Sequence, residues 1–490
     1  MRIGIALALS SASGAVFARH GEPPYSIVHP AKVGLSIPTE ELEPVDAVGL
    51  RALDDESTAA PGPHEKRLRV ANGIAVSIDG ANGLWEALPD GSHLWRMRVR
   101  APGATDLRMQ FGDVVLPDGA TLHLIGADQT YQGPYTRADA PDGRFDSPVI
   151  AGDVATIELR VPEAVQTDVV VVRMTRVGVG FRDLFRREKS GTGPGTSGAC
   201  NVNVACPLGQ VYPEEVASAA YYEFVDDDDH GSYLCSGTLL ADVPRDRRNY
   251  FLSAAHCVDS AAEAASMVIY FNYQSTQCSA LSAPSGGFFN DDLHGASLRA
   301  TRADVDFSLV ELTQTPDSSW HPYFAGWDAS GVSPSGTVGI HHPSGDAKKI
   351  TAGPAPSVTY NCIASSGPDD SHWMTGPYSQ GTTEGGSSGS GLFASSASGT
   401  RARQLIGTLS GGAAACSSTS PTQPNASTDC YGRFAVGWNG PAATSRLRDW
   451  LDPANTGVTE LQGGDGTMID VPGHSTHAIP PGLLHGSQRR

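Results

Sequence analysis

The sequence predicts an all-β protein. Its 490 residues include 56 glycines and 34 prolines, which interrupt the apolar runs so often that long helices can only be rare. The apolar segments that remain are short, and many alternate or are rich in β-branched residues. One segment, Ala442–Leu451, has the apolar spacing of an amphipathic helix, and Pro453 ends it. A chain of this length can form about three domains with sizeable cores.

The first 18 residues predict a signal peptide. A charged start is followed by an apolar run, Ile3–Leu9, and small residues stand at the third-last and last positions before a cut after Ala18. The apolar run is far shorter than the roughly 20 residues that a spanning helix needs, and no later segment is long and apolar enough. We therefore expect a secreted, soluble product.

The formal net charge of −19 argues against two classes of partner. Nucleic acids and anionic membrane surfaces are both negatively charged and would repel the chain. We therefore expect no nucleic-acid partner and no membrane partner.

Composition divides the rest of the chain into four parts. Residues 19–64 are rich in Pro, Glu and Ala without periodicity, which predicts an extended lead-in. Residues 66–185 carry short β-type segments separated by Pro-Asp-Gly turns, the pattern of a β-sandwich. A charged and then Gly-rich linker, Arg186–Gly195, contains the main domain boundary, which we place after residue 189. Residues 190–456 again alternate short strands with Gly and Ser turns, and residues 457–490 predict a flexible tail.

The cysteines indicate an oxidised domain in the second half of the chain. An even number of cysteines in an exported protein predicts disulfides, here four. A zinc site is the competing interpretation, but no pair has the CxxC spacing of zinc modules. We expect no metal and no other cofactor. The eight positions are Cys200, Cys206, Cys235, Cys257, Cys278, Cys362, Cys416 and Cys430.

Three short motifs supply the parts of an activated serine nucleophile. A hydroxyl is a poor nucleophile at neutral pH, so an imidazole must take its proton and a carboxylate must hold that imidazole in the right tautomer. His256 follows an apolar strand, Asp306 precedes another, and Ser388 lies in the Gly-Ser turn Gly385–Leu392. Each motif alone is weak. Their order, with separations of 50 and 82 residues, is similar to that of the chymotrypsin-type catalytic triad.

The same turn offers an alternative centred on Ser387, which satisfies the Gly-x-Ser-x-Gly pattern of an α/β-hydrolase nucleophile elbow. That fold needs an acid and then a histidine after the serine. The only histidines beyond Ser388 are His474, His477 and His485, all in the predicted tail. The elbow interpretation therefore lacks its partner residues.

Residues 200–456 resemble the bacterial lysyl endopeptidases, chymotrypsin-like proteases that are made as secreted precursors. The resemblance implies a chymotrypsin-like double β-barrel with a C-terminal helix, preceded by a β-sandwich propeptide. It also implies hydrolysis of peptide bonds after basic residues, lysine preferred, through a covalent acyl-enzyme. The matching segments are Gly198–Pro207, Ala255–Cys257, Ala325–Asp328, Ile340–Pro343, Thr383–Ser390, Tyr431–Arg433 and Trp450–Pro453.

Position by position, the resemblance implies that Ser388 is the nucleophile, His256 the base and Asp306 its orienting carboxylate. The backbone N–H groups of Gly386 and Ser388 then form the oxyanion hole. Asp429 matches the residue at the base of the P1 pocket, where a buried carboxylate selects a basic side chain because only a cation offsets its desolvation. Without the resemblance, Asp429 would be an ordinary solvated loop residue.

Two features depart from the pattern of that family. Ser410 stands on the strand that lines the cleft, where the family has a histidine, and we count Ser410 with Asp429 as a pocket residue. The second is an extra cysteine pair, Cys362 and Cys430, whose bond would brace the pocket wall beside Asp429. For the other six cysteines the resemblance implies the bonds Cys200–Cys416, Cys206–Cys278 and Cys235–Cys257.

Lysine is rare in this chain, which has five lysines (32, 66, 189, 348 and 349) against 29 arginines. A lysine-cleaving enzyme with few lysines resists its own activity, although a high-GC genome would produce the same bias. Self-cleavage after Lys189, in the linker, would release the protease. The sandwich is then a propeptide that assists folding and blocks the cleft. A carbohydrate-binding or adhesion role is its alternative, because sandwich folds host both.

The sequence thus predicts a monomeric, secreted serine endopeptidase that acts on proteins and peptides. Its own propeptide is expected to serve as intramolecular inhibitor and chaperone. Two alternatives remain, a trypsin-like protease of broader or different P1 specificity and a non-catalytic binding protein on a protease scaffold. The last requires the loss of a triad residue, and none is lost.

Overall fold

A computed structural model of the protein describes residues 21–34, 36–58, 63–182, 184, 197–278, 291–364, 368–395 and 403–465. The predicted signal peptide, the linker with Lys189 and the tail from residue 466 onward lie outside these residues. Within the described part of the chain, no helix is both long and apolar enough to cross a membrane.

The N-terminal half folds into two sheets that face each other. One sheet has the strand order β1-β5-β11-β7-β8, with β4 also paired to β5, and the other contains β10, β6, β12 and β3, with β9 paired to β6. The bounds in chain order are α1 (Tyr25–Val28), β1 (Thr39–Glu41), α2 (Ala47–Thr58), β2 (His64–Glu65), β3 (Leu68–Ile78), β4 (Leu84–Ala87), β5 (His93–Arg100), β6 (Asp106–Val115), β7 (Thr121–Gly126), β8 (Tyr131–Tyr135), β9 (Phe145–Asp146), β10 (Ile150–Ala151), β11 (Val154–Val161) and β12 (Val171–Gly180).

Alternating side chains hold this sandwich together. In β11 every second residue, Ala155, Ile157, Leu159 and Val161, is at most 1% exposed and belongs to the core between the sheets. Successive side chains of a strand point to opposite faces, so this alternation buries one face and leaves the other for polar groups. The β-sandwich predicted from the segment pattern is therefore present in the structure.

The lead-in before the sandwich was predicted to be extended, and that prediction is wrong for α2. Its exposed Val48 and Leu53 show that the helix buries no continuous apolar stripe. It is held instead by polar contacts, in which Arg51 Nη1 donates to the Phe181 carbonyl at 2.6 Å and Arg182 pairs with Asp54 at 2.8 Å. Helices held in this way leave no apolar period in the sequence.

The C-terminal half forms two β-barrels. The first has the strand order β18-β17-β14-β15-β16-β20-β19, and the second has the order β13-β23-β22-β26-β27-β28-β25-β24. The bounds in chain order are β13 (Val202–Asn203), α3 (Pro207–Gln210), α4 (Pro213–Ser218), β14 (Ala219–Val225), β15 (Ser232–Leu240), β16 (Tyr250–Ser253), α5 (Ala261–Ala265), β17 (Val268–Tyr270), β18 (Asp292–His294), β19 (Ala296–Arg302), β20 (Phe307–Leu312), β21 (Trp327–Asp328), β22 (Gly336–His341), β23 (Lys349–Pro354), β24 (Ser357–Thr359), β25 (His372–Thr375), β26 (Gly391–Ala394), β27 (Leu405–Gly412), β28 (Asp429–Arg433), α6 (Phe434–Trp438), α7 (Arg448–Leu451) and β29 (Glu460–Leu461).

The two barrels share a core. Leu252 and Leu309 of the first barrel and Ile340 and Phe393 of the second belong to one cluster of buried residues. Because this cluster fixes one barrel against the other, loops of both meet along the groove between them. The prediction of an all-β, double-barrel fold is confirmed.

The predicted C-terminal helix is shorter than expected. Instead of one helix over Ala442–Leu451, the chain makes a 3-10 turn at Ala443–Ser445 and then α7. Arg446 between them is extended, with φ −147° and ψ 147°, and its guanidinium binds Asp449 at 2.7 Å and the Gly440 carbonyl at 3.2 Å. These polar contacts hold Arg446 in an extended conformation, so the helix does not continue through this residue.

Strand β3 connects the sandwich to the first barrel. One edge of β3 pairs with β12 of the sandwich, and the other edge pairs with β15 of the barrel. Ala71 shows the arrangement, because it pairs with Gly180 on one side and Ser232 on the other. The residues just before β3 are thereby brought to the groove between the barrels.

Candidate active site

Ser388 lies in a tight turn that leads into β26. The backbone of Gly389 has φ +77°, in the left-handed region that glycine adopts readily. A Cβ on Gly389 would stand 2.0 Å from Ser253 Oγ, so no larger residue fits there. The turn is anchored on the first barrel, where Ser236 N donates to Ser388 O at 2.8 Å. A serine of the second barrel is thus held at the groove.

His256 and Asp306 come from the first barrel. His256 follows β16 and Asp306 directly precedes β20, and these two strands are paired. Nδ1 of His256 is 2.9 Å from Asp306 Oδ2, and Nε2 of His256 is 2.6 Å from Ser388 Oγ. The backbone N–H of His256 also donates to Asp306 Oδ1 at 3.0 Å. The structure therefore brings the three residues together, with the imidazole between carboxylate and hydroxyl.

The electrostatics of the pair favour a charged imidazole. Burial by itself lowers the pKa of His256, but the charge and hydrogen bond of Asp306 together outweigh burial and raise it above its ordinary value. Burial by itself raises the pKa of Asp306, yet His256 and the surrounding hydrogen bonds lower it. Each group stabilises the charged form of the other, as an imidazole that receives a proton from a hydroxyl requires.

The hydroxyl of Ser410, predicted as a pocket residue together with Asp429, is directed at His372. The hydroxyl of Ser410 lies 3.1 Å from Nε2 of His372 and contributes to the lowered pKa of Asp306. Strand β27 shifts its register against β28 between Leu409 and Gly411, on either side of Ser410. Such a bulge breaks the alternation of side chains, so the face of Ser410 could not be derived from its strand position.

Sequence reasoning missed His372. Its ring lies between two hydroxyls, with Nδ1 2.8 Å from Ser371 Oγ and Nε2 3.1 Å from Ser410 Oγ. Burial lowers the pKa of His372 to about 4, so the ring is neutral at neutral pH. The residues Ser371 and Trp373 on either side carry no motif that would have marked it. His372 thus makes a hydrogen bond with Ser410, which in turn contributes to the lowered pKa of Asp306.

Asp429 is buried in the second barrel and is 1% exposed. Its Oδ2 accepts hydrogen bonds from Tyr378 Oη at 3.0 Å and from Thr383 Oγ1 at 2.6 Å. Its Oδ1 accepts the backbone N–H of Ala414 at 3.2 Å. Tyr378 and Thr383 were not predicted as site residues, because each lies far from Asp429 in sequence. Two hydroxyls thus occupy Oδ2, whereas Oδ1 is left to the Ala414 N–H and to Lys66.

The side chain of Lys66 lies against Asp429 and is 2% exposed. Its Nζ is 2.9 Å from Asp429 Oδ1, 2.8 Å from the Ala414 carbonyl oxygen and 3.3 Å from that of Thr383, and it also donates to Thr383 Oγ1. An ammonium has three N–H donors, and these acceptors satisfy them all. In the sequence Lys66 stood out only as one of five lysines.

The backbone before Lys66 is bound as an added strand. Strand β2 pairs antiparallel with β27, with His64 opposite Gly412 and Glu65 opposite Gly411. A Cβ on Gly411 would stand 2.1 Å from the His64 carbonyl oxygen, so the close approach of β2 depends on glycine there.

The carbonyl oxygen of Lys66 lies at the Ser388 turn. It accepts the backbone N–H of Gly386 and, at 3.3 Å, that of Ser388. The N–H of Lys66 itself donates to Ser388 Oγ at 2.9 Å. The two N–H groups predicted to form the oxyanion hole therefore bind the carbonyl oxygen of Lys66. The side chain of the same residue reaches Asp429.

Ser387, the centre of the alternative elbow motif, has different partners. Its Oγ is 2.8 Å from His341 Nδ1 and accepts the backbone N–H of Glu384 at 3.0 Å. Burial lowers the pKa of His341 to about 3. The hydroxyl of Ser387 supports the turn, while that of Ser388 faces His256.

The structure pairs all eight cysteines, and two of the bonds border the site. The Cys235–Cys257 bond adjoins His256, and the Cys362–Cys430 bond adjoins Asp429. The pairs are Cys200–Cys416, Cys206–Cys278, Cys235–Cys257 and Cys362–Cys430. Among the described residues, no group of three or more His, Cys, Asp or Glu side chains could hold a metal ion.

Comparison with known proteins identifies relatives of both halves of the chain. The family model of the lysyl endopeptidase N-terminal domain matches residues 41–178, and that of the lysyl endopeptidase C-terminal domain matches residues 194–432. The lysyl endopeptidase of Pseudomonas aeruginosa is 32% identical over 365 residues, which cover 71% of this chain and 76% of that protein.

Solved structures of serine proteases are also similar to part of the chain. The thermostable serine protease AL20 from an extremophilic microorganism is 14% identical, with a TM-score of 0.30, over 45% of this chain and 93% of its own. The protease Anisep from Arthrobacter nicotinovorans is 15% identical, with a TM-score of 0.31, over 45% of this chain and 91% of its own. On the identity and coverage of the Pseudomonas relative and the matches of both family models, the chain belongs to the lysyl endopeptidase family and is a serine endopeptidase.

Proposed function

We propose that this endopeptidase cleaves peptide bonds on the carboxyl side of lysine and that His256, Asp306 and Ser388 are its catalytic triad. One observation carries the proposal. The chain's own Lys66 has its ammonium on Asp429 and its carbonyl oxygen at the Gly386 and Ser388 N–H groups. A substrate with lysine at P1 would bind in the same way.

The triad would act by nucleophilic catalysis. His256 takes the proton of Ser388 Oγ as the oxygen attacks the carbonyl carbon, and Asp306 holds the imidazole in the tautomer that accepts at Nε2. The N–H groups of Gly386 and Ser388 stabilise the oxyanion, each donor contributing about 3 kcal/mol in the transition state. His256 then protonates the leaving amine, and water hydrolyses the acyl-enzyme by the same steps in reverse.

Preference for lysine over arginine follows from how the Asp429 carboxylate is bound. Tyr378 and Thr383 both donate to Oδ2, which leaves Oδ1 to a single cationic N–H group. An ammonium is a compact charge that one oxygen satisfies, whereas a guanidinium forks to both oxygens of a carboxylate. The occupied Oδ2 therefore disfavours arginine.

Asp429→Asn is expected to lower kcat/KM for a lysyl peptide by about 100-fold, because it leaves a buried ammonium without its counter-charge. The measurement uses paired chromogenic peptides that differ only in lysine or arginine at P1. Asp317→Asn, at an exposed aspartate, is the matched control and should leave both rates unchanged. Equal lysyl and arginyl cleavage by the unmodified enzyme would retain the protease and reject the lysine preference.

Tyr378→Phe is expected to lower the lysyl-to-arginyl ratio of kcat/KM by about tenfold, because it frees Asp429 Oδ2 for a second N–H donor. Burial raises the pKa of Tyr378 far above that of a free tyrosine, so its hydroxyl stays protonated and donates. Tyr360→Phe, at a tyrosine that is 48% exposed, is the control. An unchanged ratio in Tyr378→Phe would show that Oδ2 does not govern the discrimination.

The proposed enzyme is also protected from itself. Lys348 and Lys349 are the only lysines after residue 189, and both are fully buried. Lys348 Nζ donates to the Val216 carbonyl at 2.8 Å, and Lys349 Nζ binds Asp346 at 3.3 Å. A released protease would present no accessible lysine to another copy.

We further infer that the protein is secreted as a precursor and acts as a monomer. Four disulfides support an oxidising compartment, in which such bonds persist. The match of residues 41–178 to the N-terminal domain of the family supports a proregion that precedes the protease. Sequencing the N-terminus of the protein recovered from culture medium tests both the signal cut after Ala18 and the linker cut after Lys189.

A further inference from the structure

We propose that the Lys66–Arg67 peptide bond is a self-cleavage site that Ser388 of the same chain hydrolyses. The inference rests on the proposed lysine-directed activity and adds a cut inside the proregion to the one expected in the linker. Lys66 already makes the contacts expected of a P1 residue. Its ammonium binds Asp429, its carbonyl oxygen accepts the N–H groups of Gly386 and Ser388, and the strand before it pairs with β27.

The residue after the bond is also held, on the first barrel. The guanidinium of Arg67 pairs with Asp226 at 2.9 Å and lies over the ring of Tyr233, 4.5 Å from its centroid. Arg67 Nη1 also donates to the His256 carbonyl oxygen at 3.5 Å. Arg67 is therefore held on the main chain of His256, the residue whose imidazole would protonate its amine.

Beyond Arg67 the chain continues as β3, which is paired to β15. Leu68 lies opposite Leu234 and Arg69 opposite Tyr233. Leu68 also packs at the Ser388 turn, because a Cβ on Gly385 would lie 3.3 Å from its Cδ1. The chain pairs with the second barrel before Lys66 and with the first barrel after Arg67. The Lys66–Arg67 peptide bond therefore lies across the groove between the barrels.

The reaction at this bond is an ordinary hydrolysis. Ser388 Oγ attacks the Lys66 carbonyl carbon while its proton passes to His256 Nε2. The bond to the Arg67 nitrogen then breaks, and His256 delivers the proton to the new amine. Water attacks the Lys66 ester, giving its proton to His256, which returns it to Ser388 Oγ. One water is consumed, and the products are a carboxylate at Lys66 and an amine at Arg67.

No other lysine of the described residues is placed for this cleavage. Lys32 is exposed, and Lys348 and Lys349 are buried on polar partners away from Ser388. Only Lys66 brings both its side chain to Asp429 and its carbonyl to the Ser388 turn.

Both new ends would stay bound after the cut. The upstream piece remains tied to the sandwich by the parallel pairing of β1 with β5 and by Arg51 on the Phe181 carbonyl. The downstream piece stays in the sheet, because β3 is paired on both edges. Residues 1–66 contain no cysteine, so denaturant alone should separate the pieces.

The test follows the full-length precursor as it refolds, by intact mass and N-terminal sequencing. We expect a chain that begins at Arg67, formed with a half-time that a tenfold dilution leaves unchanged, and pieces that co-elute in native buffer. Ser388→Ala should yield no such chain. Lys66→Ala should slow the cut by at least about 100-fold, whereas Lys32→Ala, the control for losing a proregion lysine, should be cut like the unmodified chain.

The outcomes separate this inference from the proposed function. A lysyl peptide is assayed with the protease recovered from culture medium, free of the proregion that fills its site. If the peptide is hydrolysed while no chain ever begins at Arg67, the self-cleavage site is rejected and the lysine-directed activity stands. A half-time that lengthens on dilution, as a second-order reaction requires, rejects cleavage within one chain. If the peptide itself is not hydrolysed, the proposed function fails. The comparison of the unmodified chain with Ser388→Ala decides the matter even if Lys66→Ala does not fold.

Discussion

Replacing Ser388 by alanine is expected to lower kcat on a lysyl peptide by about 10⁶-fold, the scale seen when a triad loses its nucleophile. The variant keeps the Asp429 pocket and the two backbone N–H donors, so KM should change far less than kcat. The full chain should also remain in one piece, because neither the linker nor the proregion would be cut. Chromogenic peptide kinetics and intact mass measure these two effects.

Ser390→Ala is the matched control, two residues further along the same turn. The hydroxyl of Ser390 is buried and has no hydrogen-bond partner among the described residues, so its removal should leave kcat within a few-fold of the unmodified enzyme. Equal losses in both variants would point to damage of the turn. Retained turnover in Ser388→Ala would overturn the mechanism itself.

The three residues of the proposed triad could be selected from the sequence because each lies in a short local motif. His256 follows an apolar strand, Asp306 precedes one, and Ser388 sits among glycines that its turn requires. Their order supplied the rest. Asp429 lacks such a motif and was identified only through the resemblance to a family, since an aspartate in a loop is ordinarily solvated.

The remaining contacts depend on the path of the chain through space. Lys66 reaches Asp429 across 363 residues of sequence, through a two-residue strand too short to show any period. The face of Ser410 depends on a bulge, and helix α2 depends on one ion pair and one hydrogen bond to a carbonyl, neither of which leaves an apolar pattern. Periodicity records burial on one face of an element, so it cannot report contacts that a bulge or a single charge decides.

The second large effect is expected from Asp306→Asn, which should lower kcat by about 10⁴-fold, because the amide no longer holds the imidazole in the accepting tautomer. A shift in pH dependence accompanies the loss. Activity requires neutral His256, so kcat/KM rises with pH through the pKa of that imidazole. With Asp306 in place, this rise should be centred above about 6.5, the ordinary histidine value. Without the carboxylate, the effect of burial on the pKa of His256 dominates, and the rise in kcat/KM should move to lower pH.

Asp304→Asn separates this effect from a general loss of negative charge near the imidazole. Asp304 lies two residues away, is 40% exposed and pairs with Arg302, so its charge is screened by solvent. We expect Asp304→Asn to keep most of the activity and to leave unchanged the pH at which kcat/KM rises, here called the acid limb of the pH profile. If the acid limb of Asp306→Asn does not move, or if Asp304→Asn moves it equally, the raised pKa of His256 does not come from the hydrogen-bonded carboxylate. The charge of Asp306 would then contribute to catalysis only by orienting the ring.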